Sequence, residues 1–95
     1  MRLEPIEYAR KIVDVAWDKQ ATDILLLDIR NIAVFTDFFV IMTVDNSRLM
    51  DALQQDLVGA VEQDGGKLHH LEGTVEAGWI LVDFGDVIVH LFAPE

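Results

Sequence analysis

Gly78-Trp79-Ile80-Leu81-Val82-Asp83-Phe84-Gly85-Asp86-Val87-Ile88-Val89-His90-Leu91-Phe92 is the stretch that decides the fold of this chain. Two β-rich runs, Trp79–Phe84 and Val87–Phe92, flank Gly85-Asp86, and a Gly-Asp pair in a two-residue gap signals a tight hairpin. Such a turn fixes the pairing. Phe84 faces Val87, and counting outward sets Asp83 opposite Ile88, Val82 opposite Val89, Leu81 opposite His90, Ile80 opposite Leu91 and Trp79 opposite Phe92. Side chains alternate between the two faces of a strand. One face therefore carries only Phe84, Val87, Val82, Val89, Ile80 and Leu91, and belongs to a core. The other mixes Trp79, Phe92, Leu81 and Ile88 with Asp83 and His90, which suits a half-wetted docking surface. Tryptophan serves such surfaces because it buries a large area while keeping one polar handle.

Upstream of the hairpin, Lys67–Glu72 reads as a weak strand and Gly73–Gly78 as a loop. Met50, Leu53, Leu57, Ala60 and Val61 form one apolar stripe and predict a helix over about residues 47–64. Asp45-Asn46-Ser47 supplies capping side chains, Ser47 among them, and Gly65-Gly66 stops the helix. Phe38–Thr43 is a strand in which one ring of the Phe38-Phe39 pair faces the core, and Arg30–Asp37 is a connector. Ile24–Ile29 is a continuous apolar run of the kind found in strands covered on both faces. The first helix spans about residues 5–19, with Pro5 at its first position, Glu4 near its positive end, and Ile12, Val13, Ala16 and a packed Trp17 at helical spacing. The order α-β-β-α-β-β-β contains one strand–helix–strand crossover, which demands a parallel pair, and a final antiparallel hairpin. The expected architecture is a single α/β domain over residues 1–95, a mixed five-stranded sheet with both helices on one face.

Composition narrows the function. Ninety-five residues support one core, and no run approaches the roughly 18 apolar residues of a membrane helix. Met1-Arg2-Leu3-Glu4-Pro5 lacks the layout of a signal or transit peptide, and there is no cysteine. A cytoplasmic protein without membrane contact is expected. Seven basic residues against seventeen acidic ones leave a net charge of −10, which repels phosphate backbones. Direct nucleic-acid binding is therefore not expected, and a basic protein surface is the natural complement.

Several segments resemble the ribosomal silencing factor (RsfS, Iojap-like) family. Asp18-Lys19-Gln20-Ala21-Thr22-Asp23-Ile24 with Leu27-Asp28-Ile29 resembles its opening signature, Thr36–Thr43 its aspartate–aromatic–Phe-Val-Ile segment, and Asn46-Ser47-Arg48 its Ser-Arg helix start. Gly78–Phe92 followed by Pro94 is the most specific match, through its spacing of Trp, Asp, Gly-Asp and His. The resemblance implies a fold related to nucleotidyltransferases but without catalysis. It also implies docking on the large ribosomal subunit through the basic ribosomal protein L-fourteen, where the factor blocks subunit joining and represses translation. On this reading Trp79 is the centre of the contact, flanked by Leu81, Asp83 and His90, with Asp37 and Phe38 as the second locus. Two features depart from the family pattern: Val44 and Leu49 replace its usual residues, and the chain stops at Glu95 before an aromatic-rich segment. A sheet edge left open by that segment would favour a homodimer.

Two rival readings concern the polar residues. A metal-dependent nucleotidyltransferase would use Asp28, Asp83 and Asp86 as carboxylate ligands, yet the Gly-Ser motif before a D-x-D pair is missing, as is a Gly-rich phosphate loop. Asp86 reads as a turn residue, and Asp28 as a local partner for Arg30 across a neighbouring strand. His69 and His70 are strand neighbours that point to opposite faces and so do not share one ion. No catalytic residue, metal or cofactor is assigned. The second rival is a generic protein-interaction module.

Overall fold

Glu7 accepts a hydrogen bond from the Glu4 backbone N–H (2.9 Å), and with Pro5 at the first position this starts helix α1 (Pro5–Asp18). Helix α2 (Ser47–Gln63) is capped by Asn46, whose Oδ1 accepts from the Leu49 N–H (2.8 Å), so the cap lies one residue before Ser47. Gly65 then turns the chain out of α2 with φ of 82°, a conformation that glycine adopts without strain. The computed structural model describes residues 2–94. Its five strands are β1 (Thr22–Asp28), β2 (Phe38–Thr43), β3 (His70–Thr74), β4 (Trp79–Asp83) and β5 (Val87–Phe92).

They form one sheet in the order β1-β2-β5-β4-β3, with β2 parallel to β5 and every other pair antiparallel. The β4–β5 register is the one the turn dictates, from Asp83 opposite Ile88 to Trp79 opposite Phe92. The parallel partner of β2 is β5 rather than the first strand after the helix. Val87, Ile88, Val89 and Leu91 make β5 apolar on both sides and suit it to the sheet centre, whereas His70-Leu71-Glu72-Gly73-Thr74 is exposed and suits an edge. The weak strand expected at Lys67–Glu72 thus begins three residues later and ends at Thr74, which pairs with Trp79 across a short turn closed by Gly78 N–H to Val75 O (3.0 Å). Gly73 sits mid-strand with φ of 83°, facing the Trp79 backbone where a Cβ has no room.

Both helices pack on one face. Tyr8, Ile12 and Ala16 of α1 and Met50, Leu53, Leu57 and Val61 of α2 join Val40, Met42, Ile80, Val82, Val89 and Leu91 in one buried cluster. Tyr8 ties the helix ends together by donating to the Asp64 carbonyl (2.7 Å), beside a Lys11–Asp64 ion pair. Two expectations are corrected here. The run Ile24–Ile29 is not covered on both faces: β1 is an edge strand whose Leu25 is 55% exposed, and a run apolar on both sides does not reveal which side is covered. Trp17 does not pack between helices; it is 74% exposed. Leu53→Ala, which empties a fully buried site between α2 and the sheet, is expected to cost about 3 kcal/mol in urea unfolding, with an unchanged m-value.

Candidate functional site

Cross-strand partners share a face, so the register also defines the side of the sheet opposite the helices. From β1 to β3 it carries Leu25 and Leu27, then Phe39 and Ile41, then Ile88, His90 and Phe92, then Trp79, Leu81 and Asp83, and finally Glu72 and His70. Among the described residues no helix or strand covers this face. Trp79, Leu81, Asp83 and His90 lie together on adjacent strands, each half-buried by its neighbours. Phe92 is 40% exposed beside them.

His90 is set between two rings, edge-on to Phe39 at 5.1 Å and stacked on Phe92 at 6.2 Å. Desolvation in this setting lowers its pKa below the ordinary histidine value, which favours the neutral imidazole. Asp83 is partly committed to the turn: its Oδ1 accepts from the Gly85 N–H (2.7 Å). That bond holds the carboxylate at the rim of the apolar patch. Asp37 stands just before β2, half-buried, and its backbone is used on both sides. Its carbonyl accepts from Ile29 N–H (2.9 Å) and its N–H donates to the Asp86 carbonyl (2.9 Å).

Phe38 requires correction as a surface contact. It is 2% exposed, packed in the core with the Arg30 guanidinium 5.1 Å from its ring centroid. Pairing of Phe38 with Val87 turns it toward the helices and gives the open face to Phe39 instead. The connector Arg30–Asp37 also holds more than a spacer. Ile32 and Val34 stand in solvent and Phe35 is 66% exposed, its ring 6.2 Å from Phe39, so the apolar face continues onto this loop. Three large apolar residues inside a turn-rich connector were the sequence signal for it.

The carboxylates of the enzyme reading do not converge. Asp28 is held by Arg30 through Nε and Nη2 (2.9 and 2.6 Å), a contact within its own segment rather than across strands, and this hydrogen bonding lowers its pKa. It points to the helix side, opposite Phe38, whereas Asp83 points to the open face three strand positions away, about 14 Å at ordinary strand spacing. Two groups on opposite sides of a sheet do not share one ion.

The α/β domain thus leaves one sheet face largely apolar and, among the described residues, uncovered. Residues 2–95 match the family described as "Ribosomal silencing factor during starvation". The Bacillus subtilis ribosomal silencing factor RsfS is 37% identical over 82% of this chain and 66% of its own length. The chloroplastic protein Iojap of Zea mays is 33% identical over 97% of this chain and 40% of its own. A Chromobacterium violaceum crystal structure superposes with a TM-score of 0.90 at 27% identity, covering 97% of this chain and 77% of that one. The chain belongs to the ribosomal silencing factor family.

Because the folded-state pKa of His90 is depressed, the unfolded chain takes up its proton first as pH falls. Stability is therefore expected to drop below about pH 6.5, down through the lower folded-state value, and to level off beneath it. His90→Gln is expected to remove that part of the pH dependence, read as the difference in melting temperature between neutral and mildly acidic buffer.

Proposed function

We propose that the open sheet face, centred on Trp79, docks this chain on the large ribosomal subunit through ribosomal protein L-fourteen, and that the bound chain blocks joining of the small subunit and so represses translation. One observation carries the reading: an apolar face, uncovered among the described residues and bearing Trp79, on a chain of net charge −10. Apolar area supplies the affinity, and acidic surroundings select a basic protein surface while disfavouring RNA phosphates. Leu81 and His90 flank the indole, Asp83 and Asp37 supply acid at the rim, and Phe39 and Phe35 extend the patch in place of Phe38. Relatives named as silencing factors support a regulatory role without catalysis, and the bacterial ones support a cytoplasmic site of action; the Zea mays relative is named as chloroplastic. A homodimer through this face sets two strongly acidic chains against each other, so we assign the face to a basic partner.

The test is binding of the purified chain to large subunits and to isolated L-fourteen. Trp79→Ala is expected to lose about 2 kcal/mol of binding, roughly thirty-fold, while melting close to the wild type, since the indole lies outside the helix-packed core. A variant that folds and binds normally would place the contact on another surface. Added salt is expected to slow association more than it speeds release.

A further inference from the structure

We propose that the free edge of β1, with the groove between it and α1, binds an extended basic segment of a partner protein as a sixth strand. This site meets the docking face only along Leu25 and Leu27 and does not depend on it. Ile29 N–H donates to Asp37 O (2.9 Å), and the register runs on through Leu27 opposite Phe39 and Leu25 opposite Ile41. Alternate residues of an antiparallel pair exchange both bonds, so Leu25 and Leu27 are bonded to β2. The N–H and C=O groups of Leu26 and Asp28 consequently point outward, and among the described residues no strand lies beyond them. Proteins ordinarily blunt such an edge. Here a bulge between Thr22 and Leu25, with Asp23 at φ of 50°, disturbs only its start, and Leu25–Asp28 stays regular.

Beside this edge lies a hollow of about 280 Å³ lined by Arg10, Val13, Asp14, Ile24 and Leu26. It adjoins a second of about 390 Å³, sharing Val13 and Ile24 and walled by Trp17. An added strand would therefore find backbone partners at the edge and, on its helix side, an apolar floor with one exposed indole. Charge identifies the occupant. Asp14 and Asp23 line the hollows against a single base, Arg10, within a chain of net charge −10. A Lys or Arg of the added strand lays its stem on Val13 and Leu26, brings its head to Asp14, and at the next such position meets the Trp17 ring. Its alternate residues fall beside Leu25 and Leu27 and are apolar. A second copy of this chain fits poorly, because pairing two β1 edges brings together two chains of net charge −10.

The probe is the peptide acetyl-Lys-Val-Lys-Val-Lys-Val-Lys-amide, added to the isotope-labelled chain and followed by amide hydrogen exchange. Saturating peptide is expected to slow exchange at Leu26 and Asp28 by about ten-fold or more, with little change at amides already bonded within the sheet. Trp17→Ala, which removes an exposed side chain and keeps the melting temperature, is expected to weaken binding about five-fold or more. Trp79→Ala is expected to leave peptide binding unchanged. The proposal is overturned by unchanged exchange at Leu26 and Asp28, by equal binding of the Glu-for-Lys peptide, or by equal binding of a peptide N-methylated at alternate residues. It is also overturned if Trp79→Ala abolishes binding, which places the peptide on the docking face. A dimer of the free chain that Leu26→Lys dissolves overturns it as well, in favour of a second copy.

Discussion

The turn at Gly85-Asp86 is the constraint on which the rest of the sheet depends. Phe84 N–H donates to Val87 O (2.9 Å) across it, and the Asp83 carboxylate holds the Gly85 N–H, so β4 and β5 have one register. The turn also seats β2: the Asp86 carbonyl accepts from both Asp37 N–H (2.9 Å) and Phe38 N–H (3.1 Å). That double contact sets Phe38 opposite Val87 and fixes the parallel pairing, the one non-local strand junction of the described sheet. Asp37, through its carbonyl, then fixes the end of β1. A short turn in this way places four of the five strands that carry the open face.

Because the side-chain period of a strand is two, that register is all-or-none in its consequences. A slip of one residue exchanges Val82, Val89, Ile80 and Leu91 for Asp83, His90, Leu81 and Trp79 against the helices. Burying Asp83 without a partner costs several kcal/mol, against a total stability of about 5–15 kcal/mol for a domain of this kind. The alternation of β4 and β5 therefore specifies the fold and the open face together. Asp83 and His90 are permitted only on the side that stays open.

This explains which elements were legible in the sequence. The hairpin, its register and its two faces follow from period-two alternation around a turn that admits one pairing, and both helices follow from apolar stripes with start signals, α2 also from its glycine stop. The failures have a common physical source, information held by the partner strand rather than by the segment. His70-Leu71-Glu72-Gly73-Thr74 has no apolar pattern, and its strand exists because β4 offers an edge. Ile24-Leu25-Leu26-Leu27 is apolar on both sides, so its place at the sheet margin is set by the order of pairing. The Phe38-Phe39 pair shows that one ring is core, but the assignment of Phe38 inward is decided by Asp86 and Val87, distant in sequence. Of the six residues read as docking contacts, the four on the hairpin share one patch, Asp37 lies at its margin, and Phe38 gives way to Phe39.

The acidic excess bears on the same face. A small domain with Trp79, Leu81, Phe39, Phe35 and Phe92 on one unpartnered surface invites association with its own copies, since apolar contact does not discriminate between partners. Net charge supplies the discrimination that the patch lacks. Two chains of charge −10 repel as they approach, whereas a basic surface is attracted over the same distance, so one charge distribution opposes self-association and favours the proposed encounter. The division of labour is consistent with where the acids sit. Asp37 and Asp83 lie at the margin of the sheet face rather than at its centre, where a desolvated carboxylate would oppose binding by an apolar partner surface. In the proposed docking, affinity rests on the aromatic and aliphatic residues of the face, and choice of partner on the acidic rim.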